Sequence, residues 1–113
     1  MADYHVFRTP AEVDGLIAAS HDAPLVLFKH STRCSISTLA KARLDRALAE
    51  DELALPVHYL DLIAHRDASD YVAEALGVRH ESPQVIIVDK GEARYVATHL
   101  DIDPYALRPE AAA

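Results

Sequence analysis

The chain has 113 residues, half of them hydrophobic and 26% charged, and a formal net charge of -7 at pH 7. That length and apolar content suit one independently folding domain over residues 1–113. The 18 acidic residues against 11 basic ones exclude a phosphate-binding face as the main function, so neither nucleic acid nor an anionic membrane is an expected partner.

From the start, Met1 to His5 lacks the basic and apolar regions of a signal peptide. No apolar run is long enough to span a bilayer. A cytoplasmic location is expected. Tyr4 to Phe7 reads as a short edge strand. Thr9-Pro10-Ala11-Glu12 has the form of a helix start, with Thr9 as N-cap, Pro10 at the first position and Glu12 at the third. Val13, Leu16, Ile17 and Ser20 then fall on one helical face.

His21 to Pro24 is a loop, and Leu25-Val26-Leu27-Phe28 is a continuous apolar run suited to a strand covered on both faces. Lys29 to Arg33 is polar and reads as a short loop. From Ser35 to Glu50 the spacing of Ile36, Leu39, Ala40, Leu44, Ala47 and Leu48 predicts a helix with those residues inward. Val57 to Asp61 is the next strand. Arg66 to Leu76 is a helix burying Tyr71, Val72, Ala75 and Leu76, stopped by Gly77.

Val85 to Val88 is a second continuous apolar strand. Asp89-Lys90-Gly91-Glu92 is a hairpin turn with Gly91 at positive φ, and Ala93 to Thr98 returns antiparallel. Asp101 to Leu107 is expected to form a short terminal helix ended by Pro109, with residues 109–113 a frayed tail. The order β-α-β-α-β-α-β-β-α predicts an α/β fold. It is a mixed sheet with helices on both faces, in the order of the thioredoxin fold.

Cys34 is the only cysteine, so an intramolecular disulfide and a multi-cysteine zinc site are excluded and a reducing compartment is favoured. It falls between the Leu25–Phe28 strand and the following helix. There, unpaired N–H groups, the positive helix end and nearby Arg33, Lys29 and His30 would favour a usable thiolate. The other reading is a buried small hydrophobe. The polar neighbours His30-Ser31-Thr32-Arg33 and Ser35 count against it.

Glu81-Ser82-Pro83-Gln84 precedes the Val85 strand, where a proline belongs at the first edge. Seven histidines (His5, His21, His30, His58, His65, His80 and His99) show no metal-ligand spacing, and no metal site is expected. His30, four residues before Cys34, is the one near enough to serve as a proton partner. A strand end, however, often points away from the loop's tip. No Gly-x-Ser-x-Gly elbow and no glycine-rich phosphate loop occur, since Gly15, Gly77 and Gly91 are scattered.

Cys34-Ser35-Ile36-Ser37 stands where thioredoxins carry their Cys-x-x-Cys motif, with Ser37 in the second cysteine's place, and Pro83 matches the thioredoxin cis-proline. The longer run Phe28 to Ser37 resembles the YtxJ-type monothiol bacilliredoxins of the bacillithiol redox system. Their usual motif is Thr-Cys-Pro-Ile-Ser, and this chain departs from it with Arg33 and Ser35 in place of threonine and proline.

The resemblance implies a monothiol thiol-disulfide oxidoreductase that removes bacillithiol from S-bacillithiolated client proteins. Cys34 would be the nucleophile, with Arg33 and Ser37 supporting its sulfur, and Ser35, Ser82 and Pro83 would meet the substrate. Bacillithiol would be the co-substrate, with no bound cofactor. Ser37 also reads simply as a first-turn helix serine. A non-catalytic thioredoxin-like binding module and a glutathione-dependent monothiol glutaredoxin are the competing readings. The glutaredoxin Cys-Gly-Phe-Ser signature is absent.

Overall fold

The computed structural model describes residues 4–50, 53 and 55–107. Its elements are β1 (His5–Val6), α1 (Pro10–Ala19), β2 (Leu25–His30), α2 (Ser35–Ala49), β3 (Val57–Asp61), α3 (Arg66–Leu76), β4 (Gln84–Asp89) and β5 (Glu92–Thr98). The sheet order is β1-β3-β2-β4-β5. β3 runs parallel to both β1 and β2, while β4 is antiparallel to β2 and to β5.

α1 begins as its sequence dictates. Thr9 is the N-cap with extended backbone, and its hydroxyl accepts from the Glu12 N–H at 3.2 Å. The Glu12 carboxylate reaches back to accept from Arg8 N–H at 3.0 Å, one residue earlier than in the standard capping box. Thr9→Ala is therefore expected to cost about 1 kcal/mol, read as a lower midpoint in denaturant with an unchanged slope. At the far end of α1, Ser20 fastens the hairpin. It accepts from Gly91 N–H at 2.8 Å through Oγ and from Lys90 N–H at 2.9 Å through its carbonyl.

Lys90 and Gly91 both have positive φ, at 54° and 80°. This is the two-residue turn whose twist matches its strands, so the left-handed conformation is shared by Lys90 rather than confined to glycine. A Cβ at Gly91 would lie 2.8 Å from His21 Nε2, which restricts that position further.

The sheet separates two apolar layers. On one face Val26, Phe28, Val57, Val85, Ile87 and Ala97 meet Ala40, Leu44 and Ala47 of α2. On the other, Leu25, Leu27, Leu60, Ile86 and Val88 meet Val13 of α1 and Ala68 and Val72 of α3. Every residue of β2 is buried, because strand alternation sends its even residues to the α2 layer and its odd residues to the α1/α3 layer.

Several boundaries differ from expectation. β2 continues through Lys29 and His30, which are paired with β3 and buried rather than part of a polar loop. Partners from the flanking helices satisfy their polar ends, as described below. Ile36 and Leu39 are exposed; the inward line of α2 is instead Ser37, Ala40, Leu44 and Ala47. On α3 the buried line is Ala68, Ser69 and Val72, and Ala75 faces solvent.

The expected terminal helix is two 3₁₀ turns, His99–Asp101 and Pro104–Leu107. Pro104 disfavours helical backbone at Asp103 and divides them. Ile102 and Leu107 still reach the α2 layer. The expected tail, residues 109–113, lies outside the described residues. Among those described, no helix is long and apolar enough to cross a membrane.

Candidate active site

The C-terminal end of β2 leads directly to Cys34, the N-cap of α2, in extended backbone (φ -112°, ψ 123°) and half-buried. Its N–H donates to Ser31 O at 3.2 Å, closing the intervening turn. Its carbonyl accepts from the Thr38 N–H at 3.0 Å and the Thr38 hydroxyl at 3.1 Å. The sulfur caps nothing, which leaves the first-turn N–H groups of a 15-residue helix around it without a side-chain acceptor from Cys34. No acidic residue lies in that first turn, so the positive end of the helix is not offset locally.

The Ser82–Pro83 bond is cis, and Pro83 is buried. Gln84 is opposite Lys29 across the β2–β4 pair. Pro83, one residue earlier, therefore stands level with His30 at the sheet end from which the chain runs to Cys34. Pro83 O accepts from His99 N–H at 2.9 Å, which ties the start of β4 to the turn after β5. Among the described residues, Ser82 Oγ is buried without a hydrogen-bond partner.

Arg33 and Ser35, flanking Cys34, are both exposed. Arg33 donates its backbone N–H to Ser31 Oγ at 3.4 Å. Ser37 is fully buried, and the partners of its hydroxyl are His30 and Ser31. Oγ accepts from Ser31 N–H at 3.0 Å and lies 2.8 Å from His30 Nδ1.

The His30 ring is held between Phe28 and Tyr59, at centroid distances of 5.8 and 5.7 Å. Burial, assisted by the Lys41 charge, holds this imidazole below its usual pKa. Asp61, the bond to Ser37, and Asp45 act in the opposite direction.

Sequence reasoning gave His30 little weight, and the strand period contains the missing signal. Val26 and Phe28 face the α2 layer, so His30 does too. The 37-40-44-47 spacing puts Ser37 on the helix line that meets it. The same alternation sends Lys29 to the opposite layer. There its Nζ donates to Ser69 O at 3.0 Å and lies 3.3 Å from His80 Nδ1. Desolvation lowers the Lys29 pKa to about 8, against the attraction of Asp70 and with the repulsion of Arg66. Among the described residues, no group of three or more His, Cys, Asp or Glu side chains is arranged to hold a metal ion.

A five-stranded mixed sheet between helices, with a cysteine heading a helix and a cis-proline at the same sheet end, defines a thioredoxin-fold protein. Solved structures agree. A protein described as a candidate oxidoreductase with a thioredoxin fold superposes with a TM-score of 0.81 at 27% identity, over 97% of this chain and 94% of that one. Fasciola hepatica thioredoxin gives 0.71 at 16% identity over 95% of each chain. Oxidised thioredoxin O2 from Arabidopsis thaliana gives 0.68 at 14% over 89% and 86%. The chain belongs to the monothiol bacilliredoxin BrxC family, whose model matches residues 6–107. It is a thiol oxidoreductase by family and fold.

Proposed function

We propose that the protein removes bacillithiol from S-bacillithiolated proteins by a monothiol cycle centred on Cys34. The observation that carries this reading is the sole cysteine placed at the start of α2, beside the cis-Pro83 end of the sheet, in a member of the monothiol bacilliredoxin family.

In the first half-reaction the Cys34 thiolate attacks the bacillithiol sulfur of the client mixed disulfide. A Cys34–bacillithiol disulfide forms and the client leaves as thiolate. In the second, a bacillithiol thiolate attacks the bacillithiol sulfur held on Cys34. Bacillithiol disulfide forms and Cys34 departs as thiolate. Each half breaks one S–S bond and makes one, so electrons balance without a cofactor.

With no second cysteine, release requires a thiol from solution, which a reducing compartment such as the cytoplasm supplies. In this cycle the first-turn N–H groups of α2 and the positive charge of the adjacent Arg33 favour charge arising on the sulfur. Ser35, Ser82 and the backbone beside Pro83 flank the incoming disulfide.

Intact-mass analysis after incubation with a bacillithiolated client tests this. The expected result is a bacillithiol adduct on the wild type and none on Cys34→Ser, with the client thiol freed. Transfer from a glutathionylated client alone would overturn the bacillithiol assignment. No adduct from either client would leave a non-catalytic module.

A further inference from the structure

The mechanism above gives His30 no task, although its ring is buried and bonded to the one residue that replaces a second cysteine. A serine hydroxyl has one proton to donate and two lone pairs. Ser31 N–H occupies one lone pair of Ser37 Oγ at 3.0 Å. Where the proton points then depends on His30 Nδ1, 2.8 Å away. With a bare Nδ1, assigned here as the neutral ring carrying its proton on Nε2, Ser37 must donate to the ring, and no proton remains for any other acceptor. With a proton on Nδ1, the ring donates to Ser37, fills its second lone pair, and turns the O–H elsewhere.

The acceptor assigned to that freed proton is the Cys34 sulfur, which belongs to the same first helical turn. Cys34 is the N-cap of α2 and Ser37 its third residue, so a small rotation of either side chain about its Cα–Cβ bond is what the contact requires.

We propose that His30 is a positioning residue that directs the single Ser37 proton, so that Ser37 donates a hydrogen bond to the departing Cys34 sulfur only when Nδ1 carries a proton. The idea rests on Cys34 being the exchanging thiol, but not on the identity of the small thiol. No bond changes beyond the exchange itself: Cys34 leaves as thiolate and accepts a hydrogen bond from Ser37, and the ring proton stays on Nδ1.

The charged and titratable groups acting on the ring are Tyr59 and Asp61 from β3 and Lys41 and Asp45 from α2, with Tyr4 bonded to Asp45 at 2.6 Å. The Tyr4–Asp45–Lys41 set is fixed by its own contacts. Burial and Lys41 oppose the charged ring, so its protonation falls below the usual imidazole range.

The test uses the full chain carrying 2-mercaptoethanol on Cys34 as a mixed disulfide, released by 2-mercaptoethanol and followed by intact mass. Identical thiols make attack on the Cys34 sulfur degenerate, so only release with Cys34 as leaving group is read. Rates are corrected for thiolate fraction using a cysteine mixed disulfide. The wild-type corrected rate is expected to fall about tenfold as pH rises through the His30 titration, the scale of one charge-assisted hydrogen bond.

Ser37→Ala should be flat at the slow level. His30→Phe, which keeps a ring but frees the hydroxyl, should be flat at the fast level. A purely structural role would slow both variants alike, and that result overturns the proposal. So does a flat wild-type profile, or a pH dependence that survives Ser37→Ala. If His30→Phe does not fold, the wild-type and Ser37→Ala profiles decide. Failure to accept bacillithiol from clients would instead strike the functional reading and leave these profiles intact.

Discussion

Phe28→Ala is expected to remove about 3–5 kcal/mol of folding stability, the range for truncating a fully enclosed aromatic ring. Phe28 has no exposed surface and lies in the α2 layer. Its ring sits 6.3 Å from Tyr4, 6.0 Å from Tyr59 and 5.8 Å from His30, so its loss opens a void on several sides. β2 is paired on both edges and cannot collapse inward without breaking register with β3 or β4. Against a typical total of about 5–15 kcal/mol, the variant would be marginal. Urea titration checks this: the midpoint should drop sharply with the slope retained. A loss under about 1 kcal/mol would mean that the ring is not packed as described.

Lys29→Met should change both the size and the pH dependence of stability. The folded chain holds Lys29 at about 8 against an ordinary 10.5, chiefly because burial disfavours its charge. The folded state therefore binds fewer protons than the unfolded state between those values. The resulting cost is fully present below about pH 8 and disappears as pH rises toward 10.5. At roughly 1.4 kcal/mol per pKa unit, its full size is about 3 kcal/mol.

Methionine escapes that cost but loses the bond to Ser69 O, worth about 1 kcal/mol. The variant should be the more stable at neutral pH by about 2 kcal/mol, and the less stable in strong base. Denaturant melts of both proteins across that window measure the crossover. A difference that stays constant with pH would show that Lys29 titrates as an exposed lysine does.

Much of this architecture was legible in the chain. The Thr9-Pro10-Glu12 start, the Val57–Asp61 strand, the Arg66–Leu76 helix and its Gly77 stop all follow from capping chemistry and period, and the structure has them at those residues. The misreading at the end of β2 has a clear cause. Lys29 and His30 are polar residues on a buried strand, and polarity alone assigns such residues to a loop.

Their burial depends on partners from distant segments. Ser69 serves Lys29 across 40 residues, and Ser37 meets His30 across seven. The inward turn of Ser37 also rotates Ile36 and Leu39 outward, so the apolar spacing of α2 overstated its buried face. Cys34 and Pro83 could be singled out because their positions relative to strands and helices were predictable. How Ser37 and His30 meet required the packing of α2 on β2.

The two-sided burial of β2 also has a consequence for divergence. From Leu25 to Ser31 no side chain faces solvent, and Ser37 is enclosed as well. A change at any of these positions disturbs a packed layer or a satisfied polar group. Thr32, Arg33, Ser35 and Ile36 are exposed around the same sulfur. Both departures from the family's usual motif, Arg33 and Ser35, belong to that outer set. The site thus divides into an inner frame under strict folding constraint and an outer rim where charge and shape can drift at little cost. Lineages of this fold can retune which disulfides approach Cys34 without renegotiating how the chain folds.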